Sequence, residues 1–204
     1  MTPTTVLFDL DGVLIDSRAA FTASVNHALG DYGLPAREPN ELRRFIGPPL
    51  RGTFAELGVA RDDIDARVDA YRDHYAIHAA AVTTVFAGIP DMLEAIGARH
   101  RLVIATSKAA SLAEAIVLEL GLAQYFDALH GPANETSAEP KSETVARALP
   151  AIALIGDTRY DVEAARANGL RPIAVSWGIG AEDDLRAAGA EAIVHAPDEL
   201  EVLL

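Results

Sequence analysis

The chain has 204 residues, half of them apolar, and a formal net charge of −13. Nucleic acid needs a basic face, so this charge argues against a polyanion as the main partner and admits a small anion where a cation screens it. The absence of cysteine excludes disulfides, thiolate zinc sites and cysteine nucleophiles, and suits a cytoplasmic setting.

In chain order, the β-forming run Thr4-Thr5-Val6-Leu7-Phe8 ends in Asp9-Leu10-Asp11-Gly12, the pattern of a buried strand entering a tight turn. From Ser17 to Ala80 the periodicity is helical. Ser17 can cap a helix through Leu29, and shorter helices are expected over Asn40–Phe45 and Leu50–Leu57, with Gly47-Pro48-Pro49 between them. A longer helix is expected from about Ile64 to Ala80.

After Phe86-Ala87-Gly88 strands and helices alternate. The expected strands are Arg101–Ala105, Ala128–His130, Ile152–Ile155, Pro172–Val175 and Ala192–His195. The expected helices are Asp91–Ala98, Ser111–Leu120, Ser142–Leu149, Tyr160–Asn168, Asp183–Ala188 and a terminal one. Gly131–Pro140 reads as an exposed, mobile loop.

Continuous apolar strands alternating with helices predict an α/β fold, a Rossmann-like doubly wound parallel sheet, with an all-helical insertion after the first strand. The expected division is a discontinuous core of residues 1–15 and 86–204 and a helical module of residues 16–85. Apolar runs such as Val6–Phe8 and Ala151–Ile155 fall far short of the ~20 residues a bilayer requires, so no signal peptide or membrane anchor is expected.

Ligands of open parallel sheets bind at the carboxyl ends of the strands. Asp9 and Asp11 leave the first strand, Thr106 and Ser107 the Arg101–Ala105 strand, and Asp157 the Ile152–Ile155 strand. Lys141 opens a helix after another strand. Asp9 and Asp11 flank one residue, so alternation turns both carboxylates to one side, where one can attack and the other can move a proton. An Asx turn closing a strand reads the same four residues equally well.

Asp157 and Asp161, four apart at a helix start, offer oxygen donors at a spacing that suits Mg²⁺; N-capping is the competing reading. Thr106 and Ser107 can donate to a phosphoryl oxygen at a helix N-terminus, or simply cap the helix. Lys141 can put positive charge beside a developing anion, and Lys108 can make a second phosphate contact. A solvated surface position is the ordinary reading of each. These are the two lysines among 17 basic residues. His74 and His78 share a helix face without a third ligand nearby, so no metal site is expected there.

Phe8-Asp9-Leu10-Asp11-Gly12-Val13-Leu14-Ile15-Asp16-Ser17 resembles the first motif of the haloacid dehalogenase superfamily. Ala105-Thr106-Ser107-Lys108 resembles the second motif, Lys141 the third, and Gly156-Asp157-Thr158-Arg159-Tyr160-Asp161 the fourth. The resemblance spans the chain and lies nearest the phosphoglycolate-phosphatase-like group. It implies a phosphatase acting on a small phosphorylated metabolite, with Asp9 forming an aspartyl-phosphate. Asp11 would protonate the leaving group and then activate water, Thr106 would bind the phosphoryl group, and Lys141 would steady the nucleophile.

Mg²⁺ would be held by Asp9, the Asp11 backbone carbonyl and Asp157, with Asp161 behind them or acting through water. The helical insertion would be a cap, where Arg44, Gly47, Arg51 and the core residue Lys108 are candidates for substrate selection. The family often places proline directly after the third-motif lysine, whereas here Pro140 precedes it. Pyrophosphatase, nucleotidase and phosphosugar mutase chemistry all use the same residue set, while a phosphometabolite-binding regulator would not need it. A monomer or homodimer is expected, with no nucleic-acid or membrane partner.

Overall fold

A computed structural model describes residues 3–47, 50–133 and 139–204. Strand β1 (Thr4–Phe8) buries Val6, Leu7 and Phe8 completely and leads to the short strand β2 (Ile15–Asp16). Helices α1 (Arg18–Asp31), α2 (Pro39–Leu42), α3 (Leu50–Glu56) and α4 (Ile64–Val82) follow, then the short strand β3 (Thr84–Val85). The rest alternates: α5 (Ile89–Gly97), β4 (His100–Ala105), α6 (Ala110–Glu119), β5 (Ala128–His130), α7 (Lys141–Arg147), β6 (Ala153–Gly156), α8 (Arg159–Ala167), β7 (Arg171–Val175), α9 (Glu182–Ala188), β8 (Ala192–Val194) and α10 (Glu199–Leu203).

The chain divides into two units, one spanning Met1–Asp16 and Val85–Leu204 and the other Ser17–Thr84. In the first unit six parallel strands pair in the order β5-β4-β1-β6-β7-β8. From β1 the chain winds out to one edge through β4 and β5. It then returns to β6 on the other side of β1 and winds to the opposite edge. Such a reversal beside β1 opens a crevice at the carboxyl ends of β1, β4 and β6.

Both sheet faces are covered, so the strands are apolar without alternation: Leu102–Ala105 and Ala153–Ile155 are all buried. On one face Leu7, Val103 and Leu154 pack on Val145 of α7 and on Ala164 and Ala165 of α8. Alanine there brings the α8 backbone close to the sheet, which fixes the height of that helix's first turn above the strand ends.

In the second unit α1 buries Ala20, Phe21, Ser24, Val25, Ala28 and Leu29, a one-sided stripe at helical spacing. Phe21 meets Tyr71 of α4 edge-on at 5.7 Å, and Tyr71 stacks on Tyr75 at 5.4 Å. No helix among the described residues is long and apolar enough to cross a membrane.

Several boundaries differ from the sequence reading for identifiable reasons. Helix α1 runs past Gly30 to Asp31 and stops where Gly33 takes a positive φ of 82°. Ser17 occupies its N-cap position without a side-chain hydrogen bond. The helix expected over 40–45 starts instead at Pro39, because Glu38 and Glu41 form a capping box. It tightens into a 3₁₀ turn at Arg43–Phe45. Strands β2 and β3 have two residues each, too short for alternation to register. Pro48 and Pro49 of the expected cap corner, and residues 134–138 of the expected loop 131–140, lie outside the described residues.

Candidate active site

Asp9 is the first residue past β1, and its backbone N–H donates to the Ile155 carbonyl at 2.8 Å, carrying the ladder one step beyond the strand. The chain then closes on itself: Leu14 N–H donates to Leu10 O at 3.0 Å and Gly12 N–H to Ile15 O at 2.9 Å. Gly12 has a φ of +83°, and a Cβ there would overlap the Asp157 carboxylate. The loop can therefore turn this tightly against Asp157 only with glycine at that position.

Thr106 directly follows β4, is 1% exposed, and its hydroxyl oxygen accepts the Lys108 N–H at 3.1 Å. Helix α6 begins only at Ala110, with Ala109 as an N-cap that has no side-chain bond. Thr106 and the exposed Ser107 therefore do not cap that helix. Lys141 is the first residue of α7, with Pro140 at the N-cap. Proline before the lysine thus fits the helix start, because the Pro140 carbonyl accepts from Glu143 at 3.0 Å.

Asp157 follows β6 and precedes the N-cap Thr158, so it stands just outside α8, and the four-residue spacing to Asp161 is not one turn of a single helix. Asp161 is on α8 and caps it reciprocally with Thr158. Its Oδ2 accepts from the Thr158 N–H at 3.0 Å and the Thr158 hydroxyl at 2.6 Å. Capping and site-building are here two functions of one carboxylate, not alternatives.

Four side chains meet below the strand ends. Lys141 Nζ lies 2.5 Å from Asp9 Oδ1 and 2.9 Å from Asp161 Oδ1. Asp9, Asp157 and Asp161 place one oxygen each within 4.8 Å of one another, the one such group of three donors among the described residues. Asp157 is fully buried; its Oδ2 accepts the Ile179 N–H at 2.7 Å, while its Oδ1 is buried with no hydrogen-bond partner. Asp11 stands to one side, with Oδ2 at 3.1 Å from Lys108 Nζ and Oδ1 buried and also without a partner.

Two negative charges remain when the four carboxylates are set against the two ammoniums. Burial, reinforced by Asp161 and Asp11, raises Asp9 to about 6 even though Lys141 pulls the other way. Burial likewise pushes Asp157 well above the ordinary carboxylate range, with Asp161 and Asp9 adding to it. Burial alone would lower Lys141, but the Asp161 and Asp9 carboxylates outweigh it and hold its ammonium above the ordinary value.

A divalent cation fits this set. It would match the charge excess and occupy the side of Asp157 Oδ1 that no protein group satisfies. Asp161 has both oxygens committed, to Lys141 and to Thr158, so it suits an indirect role behind Asp9 and Asp157.

The segment after β7 is absent from the residues expected at the site. Ile179 supplies the backbone N–H to Asp157, and a Cβ on Gly178 would overlap both that carboxylate and the Gly12 carbonyl. Trp177 Nε1–H donates to Val13 O at 3.0 Å, tying this segment to the turn that carries Asp11. Its only sequence signal was the Ser176-Trp177-Gly178 run itself, because the working groups are main-chain ones.

Of the selectivity candidates in the helical unit, Arg44 pairs with Glu56 at 3.1 Å and covers the Phe45 ring, and Arg51 pairs with Asp65. Gly47 is exposed, with a φ of +100° and open space around its Cα. The histidine expectation is also corrected: His27 of α1 stacks on His74 at 4.5 Å, so the pair His74 and His78 does have a third histidine nearby. His74 meets each of the other two rings at 4.5 Å, and the three do not bring one nitrogen each within 4.8 Å of one another.

Comparison with known proteins adds three findings. The profile of the haloacid dehalogenase-like hydrolase family matches residues 6–175. Among curated relatives, the tyrosine-protein kinase PtkA of Mycobacterium tuberculosis is 33% identical over 97% of this chain and 71% of its own length. A 5′-nucleotidase of Pseudomonas aeruginosa is 35% identical over 89% and 86%, and a phosphoglycolate phosphatase of Cupriavidus necator 31% over 98% and 93%. Among solved structures, a haloacid dehalogenase-like family hydrolase from Streptococcus pneumoniae superposes with a TM-score of 0.92 at 30% identity, covering 100% of this chain and 99% of that one.

Proposed function

Because the chain belongs to the haloacid dehalogenase-like hydrolases and is a phosphatase of that family, we propose that it hydrolyses a small, phosphoglycolate-like phosphate monoester through an aspartyl-phosphate on Asp9, with Mg²⁺ bound. The observation that carries this reading is the buried set Asp9, Asp157, Asp161 and Lys141 at the β1/β6 strand ends, with its excess of two negative charges and the unsatisfied Asp157 Oδ1.

Mg²⁺, when bound, supplies charge neutralisation for the phosphoryl oxygens and keeps Asp9 ionised. Asp9 and Asp157 are its side-chain ligands in this proposal, with the Asp11 carbonyl as a third. Every other function falls to the chain itself. Lys141 fixes Asp9 by its 2.5 Å contact, so one carboxylate oxygen is held and the other is presented to phosphorus. Attack forms the Asp9–phosphorus bond as the ester oxygen leaves with a proton from Asp11. Asp11 then removes a proton from water, which attacks phosphorus and frees Asp9. Thr106, whose oxygen already accepts from Lys108, keeps its O–H to donate to a phosphoryl oxygen. We assign the choice of ester to the helical unit, with Arg44, Gly47 and Arg51 as its candidate residues.

The test is phosphate release by the native protein and by Asp9→Asn across a panel of glycolate, sugar and nucleoside 5′-phosphates and pyrophosphate, with and without Mg²⁺. The reading requires Mg²⁺-dependent release that Asp9→Asn abolishes. Near-native turnover by that variant overturns the covalent step, and isomer formation with slow phosphate release would assign a mutase instead.

A further inference from the structure

Both lysines of this chain end on aspartates of the β1 turn. Lys141 takes Asp9, and Lys108 takes Asp11 at 3.1 Å, with the two side chains of that second pair 11% and 21% exposed. A flexible surface lysine in an otherwise arginine-rich chain has no reason to sit there.

The backbone beneath Lys108 is fixed on both sides. Its N–H donates to Thr106 Oγ1 at 3.1 Å, and the Ala110 N–H donates to Pro132 O at 2.9 Å. Gly131, just past β5, lies so close to the Lys108 carbonyl that a Cβ there would overlap it. The ammonium therefore projects from an anchored loop, which lowers the entropy lost in holding its partner.

The two oxygens of Asp11 are used unequally. Oδ2 faces the Lys108 ammonium, whereas Oδ1 is buried with no partner. One oxygen is held and the other is left for a visitor, the arrangement a proton-transferring carboxylate needs.

We propose that Lys108 is the positioning residue of Asp11: it grips Oδ2 so that Oδ1 meets the leaving-group oxygen, and it is not primarily a phosphate contact. This rests on the reading of Asp11 as the group that protonates the leaving alcohol. Proton donation matters for an alkyl ester, whose alkoxide leaves poorly, and little for a nitrophenyl ester, whose phenolate leaves unaided.

The experiment compares native protein, Lys108→Met and Lys108→Arg, with Mg²⁺, on p-nitrophenyl phosphate and on an alkyl phosphate that the native protein hydrolyses. Lys108→Met should lose on the order of 10–100-fold in kcat on the alkyl ester, part of the ~10²–10⁴ that general acids supply. Its KM should stay nearly unchanged, its single-turnover release of nitrophenolate, which precedes the water step that Asp11 also serves, should fall by less than about threefold, and Lys108→Arg should restore part of the alkyl-ester loss. In an Asp11→Asn background Lys108→Met should cost nothing further. Equal losses in the single-turnover release of alcohol and of nitrophenolate, a raised KM, or multiplicative effects in that background would overturn the assignment.

A second readout does not depend on turnover. With two lysines in the chain, ¹⁵N-lysine labelling gives two ammonium resonances. Asp11→Asn should move the one that Lys108→Arg removes and leave the Lys141 resonance in place. An unmoved Lys108 resonance would refute the pairing. Should the native protein hydrolyse no phosphate ester, the functional reading fails, and this resonance still decides the pair.

Discussion

Replacing Lys141 by methionine removes the only cation in contact with Asp9 and Asp161 among the described residues while keeping the length of the side chain. The ammonium lies 2.5 Å from Asp9 and 2.9 Å from Asp161. At an effective dielectric of ~20 each contact carries roughly 6 kcal/mol of Coulomb attraction. Desolvation of the three groups offsets most of it, and removing one partner of a buried pair costs about 3–5 kcal/mol. At about 2–4 °C per kcal/mol for a chain of this size, Lys141→Met should melt roughly 6–20 °C below the native protein at pH 7.5 in EDTA.

The deficit should depend on pH. Asp9 is raised to about 6 in the folded protein, so its proton stabilises the fold fully below the ordinary value of 3.8, and that contribution is lost as pH rises through 6. Without Lys141 the folded value rises further, so the variant's deficit should be small near pH 5 and grow toward pH 7.5. Thermal unfolding at the two pH values reads both effects. A variant melting within about 2 °C of native at pH 7.5, or one equally destabilised at pH 5, would refute the reasoning.

Mg²⁺ binding should release protons, since burial raises both Asp9 and Asp157. Its affinity should therefore climb between pH 5 and pH 7.5, as calorimetry in buffers of different ionisation enthalpy would show. At a hundredfold excess over Kd the ion should add about 2.7 kcal/mol, a rise in Tm of roughly 5–11 °C at pH 7.5 and less at pH 5. Gly178→Ala puts a methyl into the Asp157 carboxylate and the Gly12 carbonyl. It should cost about 1–3 kcal/mol as overpacking does and weaken Mg²⁺ binding at least tenfold, whereas a native-like Mg²⁺ titration would show that Asp157 does not need its present position.

The parts of the candidate site legible in the sequence are those whose proposed chemistry demands a particular side chain at a strand end. Asp9, Asp11, Thr106 and Asp157 each follow an apolar run, and the run gives the address. The Ile179 N–H and the close approach at Gly178 were not legible, because a main-chain donor has no residue type and a missing Cβ matters only once its neighbour is known. The same holds for partners distant in sequence. Nothing in Ala105-Thr106-Ser107-Lys108 says that its lysine reaches Asp11, and nothing in α4 says that α1 brings His27 against His74. The parallel sheet followed from the β-α alternation, whereas its strand order had no sequence signal, and β2 and β3 carry too few residues to show a period.

The proposed reaction requires that Asp9 become covalently phosphorylated. An acyl phosphate is reduced by borohydride to an alcohol, so a reaction quenched with borohydride during turnover should convert position 9 to homoserine. Peptide mass spectrometry should find that conversion only with both substrate and Mg²⁺ present, and not in Asp9→Asn. Turnover that leaves Asp9 unreduced, or that marks Asp11 or Asp157 instead, would rule out Asp9 as the nucleophile.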